Sequence, residues 1–301
     1  MHKGCASNSP VWIKVIQWLG VMALLTIVAM GLWAILFADH TSTSSLKWFQ
    51  FLQTLGTFFL PPFVCAWLWS SKPFERLHLT GKTDWKVYSV AIGVMIVALP
   101  GINLLADWNS RLVLPDCLEG VESWMKAQEQ AATVLTERFL SGTGVSVLLV
   151  NIGLMALLPA MAEELTFRGT LQEVIVESRK TATLKVKSHV AVWVTAILFS
   201  AIHMQFYGFV PRMLLGALFG YMLLWTGSLW VPITMHFVNN LFAVVAYWVV
   251  YNRGLNPEAI DAFGTGCTLW VGIVSLVLTA GGVYFFWRLS RQMSNASSRM
   301  S

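Results

Sequence analysis

Residues 144–172 read GVSVLLVNIGLMALLPAMAEELTFRGTLQ. The first ~20 positions are long and apolar enough to cross a hydrocarbon layer as a helix. The stretch then places Glu163, Glu164 and Arg168 where such a helix ends. A soluble domain needs ample charge to cover its surface. Only 12% of this chain is charged, 56% is hydrophobic, and the mean hydropathy is +0.64. Nearly every residue of such a chain must face lipid or another helix. Helices are required, because no backbone polar group can stay unpaired against lipid. The expected fold class is therefore all-α: a polytopic transmembrane helix bundle in a single membrane-embedded domain, 1–301, with a disordered Ser-rich tail at 294–301.

Working outward, apolar runs at 12–37, 48–69, 87–106, 144–163, 188–204, 208–227, 231–251 and 267–287 predict about eight spans. The run Val15–Phe37 is longer than a signal-peptide core and reads as a retained span. With the N-terminus inside, 14 of the Lys and Arg residues fall on the inner loops and six on the outer ones. The positive-inside rule then puts both termini in the cytoplasm. The net charge of +5 is spread among loops, without a basic patch interleaved with aromatics, so the expected partner is the lipid bilayer and not nucleic acid. The outer segment 107–141 predicts a surface helix from Glu119 to Phe139. Trp12, Trp48, Trp69, Trp85, Trp108, Trp230, Trp248 and Trp287 sit near span ends, as an interfacial belt requires. Gly216 and Gly220 form a GxxxG face for close helix approach. Cys65 and Cys267 lie in apolar segments and are expected to be buried. None of the four cysteines has zinc-site spacing.

Ionisable groups inside a membrane are costly, so each is a functional candidate. AEELTFR (162–168) puts Glu164 and Arg168 at i, i+4 on one helix face, where they can pair. Glu163 points about 100° away from that pairing. FSAIH (199–203) puts Phe199 and His203 one turn apart. HFVNN (236–240) does the same for His236 and Asn240, both able to donate hydrogen bonds into one cavity. Glu163 and His203 each lie 20 residues from Thr183, the midpoint of the basic turn Arg179–Lys187. Two antiparallel helical arms would therefore bring them to one height. The uncharged turn TGSLWVP (226–232) would let His236 join them.

EELTFR, FSAIH and HFVNN, in that order on consecutive spans, resemble the CAAX-protease and bacteriocin-processing family (CPBP, or Abi) of intramembrane endopeptidases. Phe167–Gly169 and TGSLWVPI (226–233) are also similar to it, and the likeness covers about 145–245, the expected catalytic core. The resemblance implies a type II CAAX prenyl endopeptidase-like hydrolase acting on a membrane-associated protein or peptide substrate. It makes Glu163 the general base, His203 the holder of the attacking water, and His236 and Asn240 the donors to the oxyanion. Glu164, Arg168 and Phe199 are supporting residues. Members are often described as metalloproteases, and Glu163, His203 and His236 would supply a two-His, one-carboxylate set for a divalent metal such as zinc. A glutamate-type enzyme would use the same residues with no cofactor, so the choice stays open. A proton-coupled transporter is the alternative, with Glu and His as relay groups; one compact polar site and the lack of inverted repeats weigh against it. A non-catalytic bacteriocin-immunity scaffold is a third possibility. The compact size and short loops suit a multi-pass protein of the bacterial cytoplasmic (inner) membrane.

Overall fold

The structure, a computed structural model, describes residues 4–178 and 183–300, without the side chains of residues 184, 185 and 294–300. Of the expected basic turn at Arg179–Lys187, residues 179–182 lie outside the described residues, and 184–187 already belong to the helix Leu184–Ala201. Within them the chain is helical with no strand, the all-α polytopic architecture predicted from composition. Seven helices are long and apolar enough to span a membrane: Val11–Leu36, Thr43–Trp69, Trp85–Ser110, Val145–Ser178, Phe206–Thr226, Trp230–Arg253 and Glu258–Met293. The fifth expected span appears as a shorter apolar helix, Val186–Ala201. The last helix continues along the backbone to Met300, through the expected tail. Ile27 and Ile35 of the first helix stand 68% and 84% exposed, as lipid-facing side chains do.

Contacts group the chain into two compact units. The first comprises residues 1–83, 152–195 and 219–237. Its core gathers Ala66, Leu77, Leu165, Leu223, Leu229 and Ile233. Charges at three helix ends meet there: Glu177 accepts from Lys14 Nζ and from Arg76, each at 2.8 Å. Trp69 departs from the expected interfacial belt. It is buried, donates to Gln17 at 2.8 Å, and lies under the cations of Lys14 and Arg76. The GxxxG expectation holds at Gly220, where a Cβ would sit 2.8 Å from Gln172 Oε1. Its bare backbone lets the Gln172 amide donate to the Gly220 carbonyl at 3.3 Å.

The second unit comprises 84–151, 196–218 and 238–301. Pro100 interrupts the helix Trp85–Ser110. Beside it the Ser275 hydroxyl inserts into one turn, accepting from Gly101 N–H and donating to the Val97 carbonyl. A side chain inserted into the i→i−4 ladder is a recognised cause of helix kinks, and here it joins two long helices. The predicted surface helix is present as Glu119–Leu140. Cys65 is buried as expected. Cys267 is exposed, because it lies in the short 3-10 turn Gly266–Thr268 ahead of the last long helix.

Candidate active site

The helix Val145–Ser178 is not uniformly α. Ile152–Leu157 and Leu165–Gln172 are π-helical. Such widened turns are rare and recur at functional sites. In the second, Thr170 Oγ1 donates to the Leu165 carbonyl five residues back, at 3.1 Å. All eight residues from Leu165 to Gln172 are buried. Glu164 and Arg168 are wholly buried too, with side chains 0% exposed, so EELTFR is not a solvated helix end.

The pair expected from the spacing is present: Arg168 donates to Glu164 Oε1 at 2.8 Å. The same oxygen lies 2.9 Å from His236 Nδ1. A carboxylate paired with a guanidinium is an acceptor only, so Nδ1 carries the proton and donates. That bond orients the ring and turns Nε2 toward Glu163, whose Oε2 is 3.8 Å away. This is an ion-pair separation, beyond a direct hydrogen bond. Phe219 completes the wall. Its ring stacks on His236 at 5.2 Å and 22°, and the Arg168 guanidinium lies 5.5 Å from its centroid. Cation–π contact and a charged hydrogen bond together compensate for taking Arg168 out of water.

Phe199, His203 and Asn240 belong to the second unit. The helix Leu184–Ala201 ends two residues before His203, and Met204 turns the chain with φ 55. His203 therefore sits in the turn past the helix end. Its Nδ1 lies 2.7 Å from the Phe199 carbonyl, which can only accept, so Nδ1–H donates. One of the helix's last carbonyls, which lacks an intrahelical partner, is thereby satisfied. The two rings meet edge to face at 4.9 Å and 69°. This bond fixes the tautomer, leaving Nε2 as the accepting nitrogen of the neutral ring. Asn240, on the helix Trp230–Arg253, accepts from Asn239 through Oδ1 at 3.1 Å, so its amide NH₂ is the donating end. The structure thus brings Glu163, Glu164, Arg168 and His236 together in one unit, and Phe199 with His203 in the other.

Sequence reasoning missed Asn109. It is buried at the end of the helix Trp85–Ser110, donates to the Phe206 carbonyl at 2.9 Å, and accepts from Val210 N–H at 2.9 Å. It clips the loop that follows His203. Asn109→Leu strands one buried donor and one acceptor and is expected to cost about 2 kcal/mol. Thermal unfolding in detergent, with hydrogen exchange of residues 205–210, reads the effect.

Among the described residues, no three His, Cys, Asp or Glu side chains gather closely enough to hold a metal ion. Glu163 and His236 offer one carboxylate and one imidazole, and the Nδ1–H bond to Glu164 leaves Nε2, the nitrogen facing Glu163, as the one able to ligate. One carboxylate and one imidazole fall short of the three protein ligands of a catalytic zinc site, and the steps proposed run through the protein's own groups.

Residues 145–242 match the family described as Rce1-like, type II CAAX prenyl endopeptidase Rce1-like. The chain is 33% identical over 117 residues to a Bacillus subtilis (strain 168) protein named Uncharacterized protein YpbD. That match covers 37% of this chain and 54% of the relative, about half the relative's length. No solved structure matches.

Proposed function

Since residues 145–242 carry the Rce1-like, CAAX-protease type of core, we propose that the protein is an intramembrane endopeptidase. It hydrolyses a peptide bond of a membrane-associated protein or peptide. The observation that carries this is the buried Arg168–Glu164–His236 chain with Glu163 at its end, inside the matched segment. Glu163 takes a proton from water as the water oxygen attacks the scissile carbonyl carbon. His203 Nε2 helps hold that water. His236 and the Asn240 amide donate to the oxyanion. The C–N bond then breaks, and the proton on Glu163 passes to the leaving amine.

The Nδ1–H tautomer of His236 constrains this scheme. With Nδ1–H committed to Glu164, His236 can donate from Nε2 only when doubly protonated. The Glu164 carboxylate is placed to stabilise that imidazolium, as the buried carboxylate of a catalytic triad does. Glu164 and Arg168 thus serve the reaction through His236.

The glutamate-type, metal-free route is the one proposed. Purified protein exhausted of metal by chelation, with its metal content measured, is expected to keep full cleavage of a membrane-anchored reporter peptide. Loss on chelation with recovery on zinc addition would overturn that route. The basic inner loops support a cytoplasm-facing site in a bacterial inner membrane, with both termini inside if Val186–Ala201 crosses alongside the seven longer helices. Prenylated proteins are not expected in such a membrane, so the substrate is expected to be anchored by other means. Bacteriocin processing or immunity would be compatible with the same site.

A further inference from the structure

In the first unit, the segment 77–81 connects the two helices that carry Glu163 and His236. His78 adopts a left-handed backbone, φ 55, which a residue with a side chain takes up only when its surroundings hold it there. Its ring faces a carboxylate. Nε2 lies 3.1 Å from Glu173 Oε1, an ion pair when the ring is protonated. The neighbouring carboxylate favours the protonated ring. The backbone makes a second set of ties. The His78 carbonyl accepts Leu229 N–H at 3.0 Å, the Leu79 carbonyl accepts from Trp230 Nε1 at 3.0 Å, and the Gly81 carbonyl accepts from Ser228 Oγ at 3.1 Å. A Cβ on residue 81 would lie 2.7 Å from the Gly227 oxygen, so glycine is needed for this approach. Glu173 lies on the helix of Glu163 and Glu164, and Trp230 opens the helix of His236.

We propose that His78 is a positioning residue for the endopeptidase site: as an imidazolium it fastens the helix bearing Glu163 and Glu164 to the start of the helix bearing His236. The proposal rests on the endopeptidase reading above for its kinetic consequence, though not for the fastening itself.

The charged groups facing His78 are few. Glu173 favours its protonated form, and Arg76 on its own segment opposes it. Arg76 is tied to Glu177 at 2.8 Å. Lys72 and Glu75, paired at 3.0 Å, line the same cavity of about 340 Å³. The chain at 227–230 brings no charge. The Glu173 hydrogen bond holds the His78 pKa above the ordinary imidazole value, against burial. A raised folded-state pKa means that the tie is complete below about pH 6.5 and is lost as pH rises through the raised value.

The test uses full-length protein in proteoliposomes, a membrane-anchored reporter peptide, and the variants His78→Ala, His78→Asn and Glu163→Gln. Asn tolerates the left-handed backbone and can donate, yet does not titrate. His78→Ala is expected to lower kcat by about tenfold to a hundredfold with KM little changed, the size of a small misplacement of reacting groups. His78→Asn should recover much of kcat and lose the alkaline decline. Hydrogen exchange of residues 227–236 should be faster in His78→Ala and unchanged in Glu163→Gln. Wild-type kcat and pH profile in His78→Ala, or unaltered exchange in 227–236, would overturn the proposal. If wild-type protein cleaves no peptide, the endopeptidase reading fails, and the exchange result alone decides whether His78 holds the helix start.

Discussion

Glu163→Gln is expected to lower peptide cleavage by about 10²–10⁴-fold, the usual contribution of a positioned general base. It should leave the unfolding temperature in detergent nearly unchanged. The reason lies in its placement. The Glu163 side chain is 17% exposed and stands 3.8 Å from His236 Nε2, outside the short bonds that join Glu164 to Arg168 and His236. Replacing its carboxylate with an amide preserves shape and removes basicity, so water is no longer deprotonated. Cleavage at the wild-type rate by a folded Glu163→Gln protein would remove Glu163 from the chemistry.

Arg168→Met is expected to do the opposite: to strike the scaffold first. Both partners of the Glu164–Arg168 pair are fully buried. Removing one partner leaves a buried carboxylate without its main counter-charge, a loss of about 3–5 kcal/mol. The guanidinium also lies against the rings of Phe167 and Phe219, at 5.9 and 5.5 Å, and those contacts go with it. A double variant, Glu164→Gln with Arg168→Met, should recover much of the stability, since it buries no charge. It should not recover activity, because His236 would lose the carboxylate that orients and charges its ring. Equilibrium unfolding of the single and double variants in detergent measures the first effect, and reporter cleavage the second. A single variant as stable as wild type would refute the structural weight given to the pair.

The membrane class was legible because apolar runs of span length are hard to produce in any other way. EELTFR was legible as a pair and a separate carboxylate, because i, i+4 spacing survives even where the helix widens. The widening itself was not legible. Periodicity analysis assumes 3.6 residues per turn and about 1.5 Å per residue. The π turns at 152–157 and 165–172 break both assumptions, so equal residue counts from Thr183 do not imply equal heights. They also bury every side chain of Leu165–Gln172, where an amphipathic helix would have left a polar face. His203 was placed on a helix face, yet it lies in the turn beyond, where its ring caps a terminal carbonyl.

Phe219, His78 and Asn109 escaped notice, and Trp69 was assigned to the interfacial belt, for a shared reason. Each draws its role from partners remote in sequence, and nothing local distinguishes a buried aromatic from one facing lipid, or a clipping Asn from a solvated one. Trp69 meets Gln17, His78 meets Glu173 and Leu229, and Asn109 meets Phe206 and Val210. His78 had one weak signal. It stands in the loop after the second span, next to basic residues and three positions before Gly81.

The claim that the protein cuts a membrane-associated substrate is tested most directly by terminus-resolved membrane proteomics. Cells producing the wild-type protein are compared with cells producing Glu163→Gln at the same level. The expected result is a membrane-anchored precursor that accumulates with Glu163→Gln, and a new peptide terminus, near or within its membrane segment, that appears only with the wild type. Identical sets of termini in the two strains, with both proteins folded and present in the membrane, would contradict the claim.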